Sequence, residues 1–224
     1  MLSTGGLPSA NLGEPGSRKR NCGGGRGRNE MKIDLAGRTA VLAGACHAIA
    51  DAAATGLAAN GASLSVHGEG RPAGVPDILL LSHPLDLGSH DPEPLATLAR
   101  DTAAEMGRRG AGRIIHIVSA IGLVPMRRYE AASASMAAAI AGLRALAMQA
   151  APKVLVNAVA AGFVDASDGA ADPAMLSHIP LGRGGAVDEV VNAILFLSDP
   201  MNSYTTGQVL AVDGGWTTGY GRNF

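Results

Sequence analysis

Hydrophobic positions in this chain fall into short blocks of two kinds. Thr39 to Ala43 (TAVLA) is an apolar run of strand length, Ile49 to Asn60 is Ala-rich with helical spacing, and Ala62 to Val66 is a second candidate strand. Asp77 to Leu81 (DILLL) follows, then a polar, Pro-containing connection, a helix over about 93–108, and the β-branched run Arg113 to Ser119 (RIIHIVS). A long Ala-rich helix over about 130–149 leads into Val154 to Val159 (VLVNAV), a loop, a helix over 187–197 and a last strand over 208–212.

Strands that are apolar almost throughout are buried on both faces, and the helices between them supply the cover. The pattern predicts the α/β class, with one doubly wound, mostly parallel sheet in a single domain over residues 31–224. Ligands of such sheets sit beyond the carboxyl ends of the strands, where the strand order reverses. The loops after Ala43, Leu81, Val118 and Val159 are therefore expected to form the crevice.

Composition sharpens this picture. A chain of 224 residues, 47% hydrophobic, suits one domain with a substantial core. Only 3% of residues are aromatic while 31 are glycine, so small and aliphatic side chains must fill that core. Arg18, Lys19, Arg20, Arg26 and Arg28 lie in the first thirty positions against Glu14 and Glu30, leaving 13 basic and 17 acidic residues in the rest, which argues against nucleic acid as a partner. Cys22 and Cys46 imply no disulfide framework, and a cytoplasmic location is the expectation. No apolar run approaches the roughly 18 residues of a membrane span, so no membrane partner is expected. Residues 1–30, rich in Gly, Pro, Ser, Asn and Arg, resemble neither a signal peptide nor a strand; they are expected to be a disordered tail, with Met31 a candidate start of translation.

Five blocks in order carry a family resemblance: LAGRTAVLAGACHAIADAAATGLAANGA at 35–62, DILLL at 77–81, GRIIHIVSAIG at 112–122, VNAVAAGFVDA at 156–166, and PLGRGGAVDEVVNAILFLSDPMNSYTTGQVLAVDGG at 180–215. Over residues 31–224 the chain resembles the short-chain dehydrogenase/reductase family, which implies a Rossmann-type sheet. The family's dinucleotide loop reads T-G-x-x-x-G-x-G, whose glycines let the backbone approach the pyrophosphate at a helix N-terminus. Here it reads AGACHAIA, with Gly44 and Ile49 retained and alanine at positions 48 and 50. The resemblance thus makes Gly44, Cys46, His47, Ile49 and Ser82 a vestigial cofactor site, with NAD(P) the cofactor if any is bound. Gly68 stands where the family selects the ribose, with Glu69 beside it. Only ten residues separate Val66 from Asp77, too few for the elements that the family places there, so an edge strand is expected to be missing.

In this family a Ser orients the carbonyl, a Tyr transfers the proton and a Lys lowers the Tyr pKa. Ser119 matches the Ser. ASASMAAA at 132–139 falls on the family's Y-S-A-S-K-A-A-x, which puts Ala132 at the Tyr and Met136 at the Lys. In a shifted register Tyr129 becomes the acid, but Ser133 then stands for the Lys, and a neutral residue cannot depress a phenol pKa from about 10. Ser119 and Tyr129 are the candidate catalytic residues, and Arg127 and Arg128 read as a solvated helix entrance. Cys46, His47, Ser82, His83 and Ser119 all fall at strand ends, yet no spacing among them is diagnostic of a metal site, and none is predicted. His116 is expected to be buried and bonded to a neighbouring main chain; His67 and His90 are expected at the surface.

Matches concentrate in core and assembly segments, mismatches in the crevice. The leading expectation is a protein of this fold that has lost dehydrogenase activity and serves as a non-catalytic subunit or partner of an active dehydrogenase. It would assemble as a homo-oligomer, or as a hetero-oligomer with a paralogue of the same family, through the 131–148 helix and the 207–224 segment, with Trp216, Tyr220 and Phe224 as anchors. The alternatives are an NAD(P)-dependent oxidoreductase acting on a small alcohol or ketone through Ser119 and Tyr129, a small-ligand binder using the emptied crevice, and a decayed product with no role.

Overall fold

The structure, a computed structural model, describes residues 31–67, 74–164 and 176–219. Six strands form one parallel sheet: β1 (Thr39–Gly44), β2 (Ser63–His67), β3 (Ile78–Ser82), β4 (Gly112–Ser119), β5 (Val154–Ala161) and β6 (Val209–Val212), in the order β2-β1-β3-β4-β5-β6. Helices α1 (Ala48–Ala59), α2 (Glu93–Arg109), α3 (Glu130–Ala150) and α4 (Val187–Ser198) make the crossovers. The doubly wound sheet inferred from the apolar runs is thus present, with element bounds close to those predicted. The tail over 1–30, together with Gly68, Glu69, Tyr220 and Phe224, lies outside the described residues.

Side chains of a strand alternate between faces, and here each face builds its own core. Val41, Leu79, Leu81, Ile114, Val118 and Val156 pack under α2 and α3. Leu42, Ile78, Leu80, Ile115, Ile117 and Val159 pack under α1 and α4. The sheet is buried on both sides, as the unbroken apolar runs require.

Helix α3 buries Ala132, Ser133, Met136, Ala139, Ile140, Leu143, Leu146 and Ala147, the three-and-four spacing of a single face. Its 21 residues also reach the length and mean hydropathy (1.4) of a membrane span, which corrects the expectation that no segment does. That hydropathy comes from alanines on a helix packed against the sheet; half of the window is buried. Among the described residues β2 is an edge strand, with β1 as its partner. Val66, 61% exposed, stands on that edge.

Near the opposite end of β4, Arg113 ties the sheet to the loop after α4. Its guanidinium donates to the carbonyls of Leu197, Pro200 and Asn202 at 3.4, 3.1 and 2.8 Å. One fixed fork of donors thereby satisfies carbonyls left open where the helix ends.

Candidate active site

The chain leaves β1 toward β2 on one side and returns to β3 on the other, so the strand order reverses between β1 and β3. A crevice of about 300 Å³ opens at the carboxyl ends of the strands. Its lining comes from the loop after β1 (His47, Ile49), the loop after β3 (Leu85, Leu87), the turn after β4 (Ser119, Ile121), the end of β5 and Trp216. Trp216, expected as an interface anchor, meets Phe163 edge to face at 5.6 Å on the crevice wall.

Gly44 ends β1 with φ +105°, and its backbone runs so close to β3 that a Cβ would lie 2.2 Å from the Ser82 carbonyl oxygen. The next N–H, that of Ala45, donates to that same oxygen at 2.7 Å. This glycine is therefore required by the fold, whatever it does for a ligand. Cys46 is exposed and free, Ile49 is buried beneath the crevice, and Ser82 is fully buried.

His47 caps α1. Its Nδ1 accepts from the Ala50 N–H at 3.2 Å, which puts the ring proton on Nε2. Nε2 then donates to Ser82 Oγ at 2.7 Å and faces the His83 carbonyl at 3.3 Å. Burial lowers the pKa of this imidazole, against the opposing pull of the His83 carbonyl and Asp51. A neutral ring thus occupies the mouth of the helix N-terminus where an anion would approach.

The nicotinamide dinucleotide that this fold family implies does not find its usual cradle here. The N–H of Ala50 is taken by His47, the Ala50 methyl is fully buried against the core, and no strand flanks β2 among the described residues.

Ser119 ends β4 and caps the short turn Ala120–Gly122, its Oγ accepting from the Ile121 N–H at 3.5 Å. On α3, Ala132 and Met136 are 2% and 1% exposed. The Ser119 N–H points at Met136 Sδ, at 3.5 Å. Gly122 passes over the same helix so closely that a Cβ would fall 2.7 Å from Met136 Cβ. Tyr129 precedes α3 and is 37% exposed; no hydrogen bond joins it to Ser119 among the described residues. Ser133, the Lys position of the shifted register, is buried with its Oγ accepting from the Met126 N–H at 3.1 Å. Sequence reasoning placed Ser119 and Tyr129 together; the fold brings Ser119 to the crevice and leaves Tyr129 at the helix entrance.

Three histidines form a second cluster that the sequence did not reveal. His83 Nε2 and His116 Nδ1 are 3.1 Å apart with stacked rings, and His90 meets the His83 ring edge to face at 5.9 Å. His116 is therefore bonded to a side chain rather than to the main chain, and His90 is turned in from the surface, with both ring nitrogens buried. Burial, then the neighbouring His90, pushes His83 down to about 4; burial, then His83, pushes His116 down to about 3. No group of three or more His, Cys, Asp or Glu among the described residues is arranged to hold a metal ion. The only available signal was the even spacing of Ile114, His116 and Val118, which puts His116 on the α2/α3 face.

Comparison with known proteins matches this architecture. A family profile described as Enoyl-(Acyl carrier protein) reductase matches residues 95–217. The chain is 41% identical over 112 residues to the 3-oxoacyl-[acyl-carrier-protein] reductase FabG of Aggregatibacter actinomycetemcomitans, 48% of this chain and 46% of that protein. It is 36% identical over 124 residues to the protein of that name from Aquifex aeolicus, 53% of this chain and 50% of that protein. These matches span about half the length of the curated relatives. Among solved structures, a protein named as an NAD(P)-dependent gluconate 5-dehydrogenase from Beutenbergia cavernae, with NADP bound, superposes with a TM-score of 0.68 at 28% identity, over 83% of this chain and 98% of that one. A protein named as a 2-deoxy-D-gluconate 3-dehydrogenase from Agrobacterium tumefaciens, also with NADP bound, gives 0.71 at 25%, again over 83% and 98%. With the profile covering more than half of the sequence and the parallel sheet that the resemblance implied in place, the chain belongs to the short-chain dehydrogenase/reductase family.

Proposed function

We propose that this chain is a member of the family without its hydride-transfer chemistry, serving as a non-catalytic subunit of, or partner to, an active dehydrogenase. One observation supports the reading: Ala132 and Met136, which the sequence resemblance aligns with the family's phenol and ammonium, are buried as a methyl and a thioether, the latter 3.5 Å from the Ser119 N–H. Neither side chain can give or take a proton near neutral pH, and general acid catalysis needs a titrating group within hydrogen-bond reach of the reacting oxygen. The partners in this reading are a second copy or a paralogue of the same family, docking through the 131–148 helix and the 207–224 segment.

The relatives favour a second reading, an NAD(P)-linked oxidoreductase acting on a small alcohol or ketone. Those compared are named as reductases or dehydrogenases, and two of the solved neighbours carry NADP. Ser119 on the crevice wall supports it, and Tyr129 would have to swing from the entrance of α3 to supply the proton.

Titration of the purified chain with NADPH and NADH, followed by nicotinamide fluorescence, and a turnover assay on small ketones and β-ketoacyl thioesters separate the two. The first reading expects no turnover above the uncatalysed rate. Turnover that is lost in both Ser119→Ala and Tyr129→Phe would replace it with the second.

A further inference from the structure

Among the described residues, the side of β2 away from β1 has no neighbouring strand. Successive residues of a strand aim their backbone groups alternately to its two sides, and in a parallel pair the N–H and C=O of one residue point the same way. The Ser63 N–H donates to the Arg38 carbonyl at 2.8 Å, so Ser63 and Ser65 face β1. Leu64 and Val66 therefore turn both backbone groups outward, and among the described residues no bond outside the sheet involves either.

Natural edge strands are guarded by charge, proline, a bulge or a covering segment. The sequence of β2, SLSVH, contains no Lys, Asp, Glu or Pro, and its register with β1 runs from Ser63 to His67 without interruption, so no bulge bends it away. Leu64 packs against the core under α1, while Val66, on the same face, is 61% exposed. An exposed apolar side chain and outward backbone groups thus share one edge.

The spacing of these groups selects the occupant. With a twofold axis through Ser65, antiparallel pairing sets Leu64 of one copy directly opposite Val66 of the other, and the reverse. Both members of each pair have outward N–H and C=O groups, so each pair exchanges both bonds, with Ser65 opposite Ser65 between them as the non-bonded pair. A shift of one residue would set outward groups against inward ones and lose those bonds. The axis also keeps the α1 side continuous, so each Val66 meets a leucine across the junction. Charge does not oppose the pairing: α1, which covers this face, exposes Thr55, Ala58 and Ala59 and carries Asp51 as its one charged residue. We propose that β2 is an interface for a second copy of this chain, joined edge to edge into one continuous sheet. It lies at the opposite end of the sheet from β6 and includes neither α3 nor the C-terminal segment offered above to a partner.

Sedimentation velocity of the full chain over a range of concentrations, with amide exchange at the lowest and the highest, tests this. An edge of five residues is smaller than a standard interface, so the expected association is reversible, with Kd on the order of 100 μM. The Leu64 and Val66 N–H groups should gain protection as concentration rises, while those of Ser63 and Ser65 stay protected throughout. Val66→Lys should weaken the association at least about tenfold with Tm nearly unchanged, since the side chain is exposed and lysine is a natural guard of edges. Met148→Glu, on the exposed side of α3, should leave this step in place. A monomer at every concentration up to about ten times that Kd would overturn the proposal. An association abolished by Met148→Glu and untouched by Val66→Lys would assign the contact to α3 and overturn it as well. Protection of Leu64 and Val66 that does not vary with concentration would give the edge to a segment of the same chain, with the same consequence.

Discussion

The backbone N–H of Ser119 lies 3.5 Å from Sδ of Met136, which joins the end of β4 to the first turns of α3 through a thioether. Sulfur is a weak acceptor and a good filler of irregular space, so this contact serves packing more than polarity. Gly122 presses on the same side chain from above. The residue thus sits at a closely packed crossing of three backbone segments, 1% exposed.

Met136→Lys, which introduces the residue that the sequence resemblance aligns with this position, is expected to destabilise the protein. An ammonium at this depth loses its hydration, and an uncompensated buried charge costs about 3–5 kcal/mol. Calorimetry at pH 7 should show Tm falling by roughly 10 °C, at about 2–4 °C per kcal/mol for a domain of this size. An unchanged Tm would mean that the site already provides for a cation.

Stability is expected to fall with acid. His47, His83 and His116 all have pKa values lowered in the folded state, so the unfolded chain binds more protons as pH drops below about 6.5. Their neutral forms contribute fully above that pH, and the contribution is lost as pH falls toward about 4 for His83 and about 3 for His116. Each of those two can change stability by at most about 1.4 kcal/mol per pH unit in that window. Urea melts between pH 7.5 and 5 should give a positive slope with pH, and His116→Phe should reduce it by about one proton.

Gly44→Ala is expected to unsettle the start of the crevice. The new methyl would meet the Ser82 carbonyl oxygen at 2.2 Å in a backbone with φ +105°, so β1 and β3 must separate. A loss of about 3 kcal/mol or more follows from strain and the weakened Ala45 to Ser82 bond. Denaturant unfolding would read it as a lower midpoint, and amide exchange at Ala45 should accelerate.

Arg113→Ala should cost about 2 kcal/mol, because it strips the donors from three carbonyls at the end of α4. Arg113→Lys should recover only part of that loss, since an ammonium cannot span three acceptors as a planar fork does. Comparing the two variants in urea separates lost geometry from lost charge.

Much of the candidate site was legible from its addresses. A residue at or just past the carboxyl end of a parallel strand must lie at that edge of the sheet, which is why Ser119 and His47 could be assigned to the crevice from position alone, while Ser82 is buried behind His47. The small-residue pattern of ASASMAAA also marked a buried helix face, and Ala132 and Met136 share it. Tyr129 was less legible. It lies one residue ahead of α3, where the helical period no longer dictates direction, and its ring is left partly exposed.

The sequence by itself determined the order of elements and the two-sided burial of the sheet, since each follows from local periodicity and residue type. The tertiary structure alone decided which side chains meet. His83 and His90 come from the loop between β3 and α2 and His116 from β4, and Trp216 meets Phe163 across the crevice wall. Such pairings depend on strand register and loop path, which long-range packing sets and no local pattern encodes.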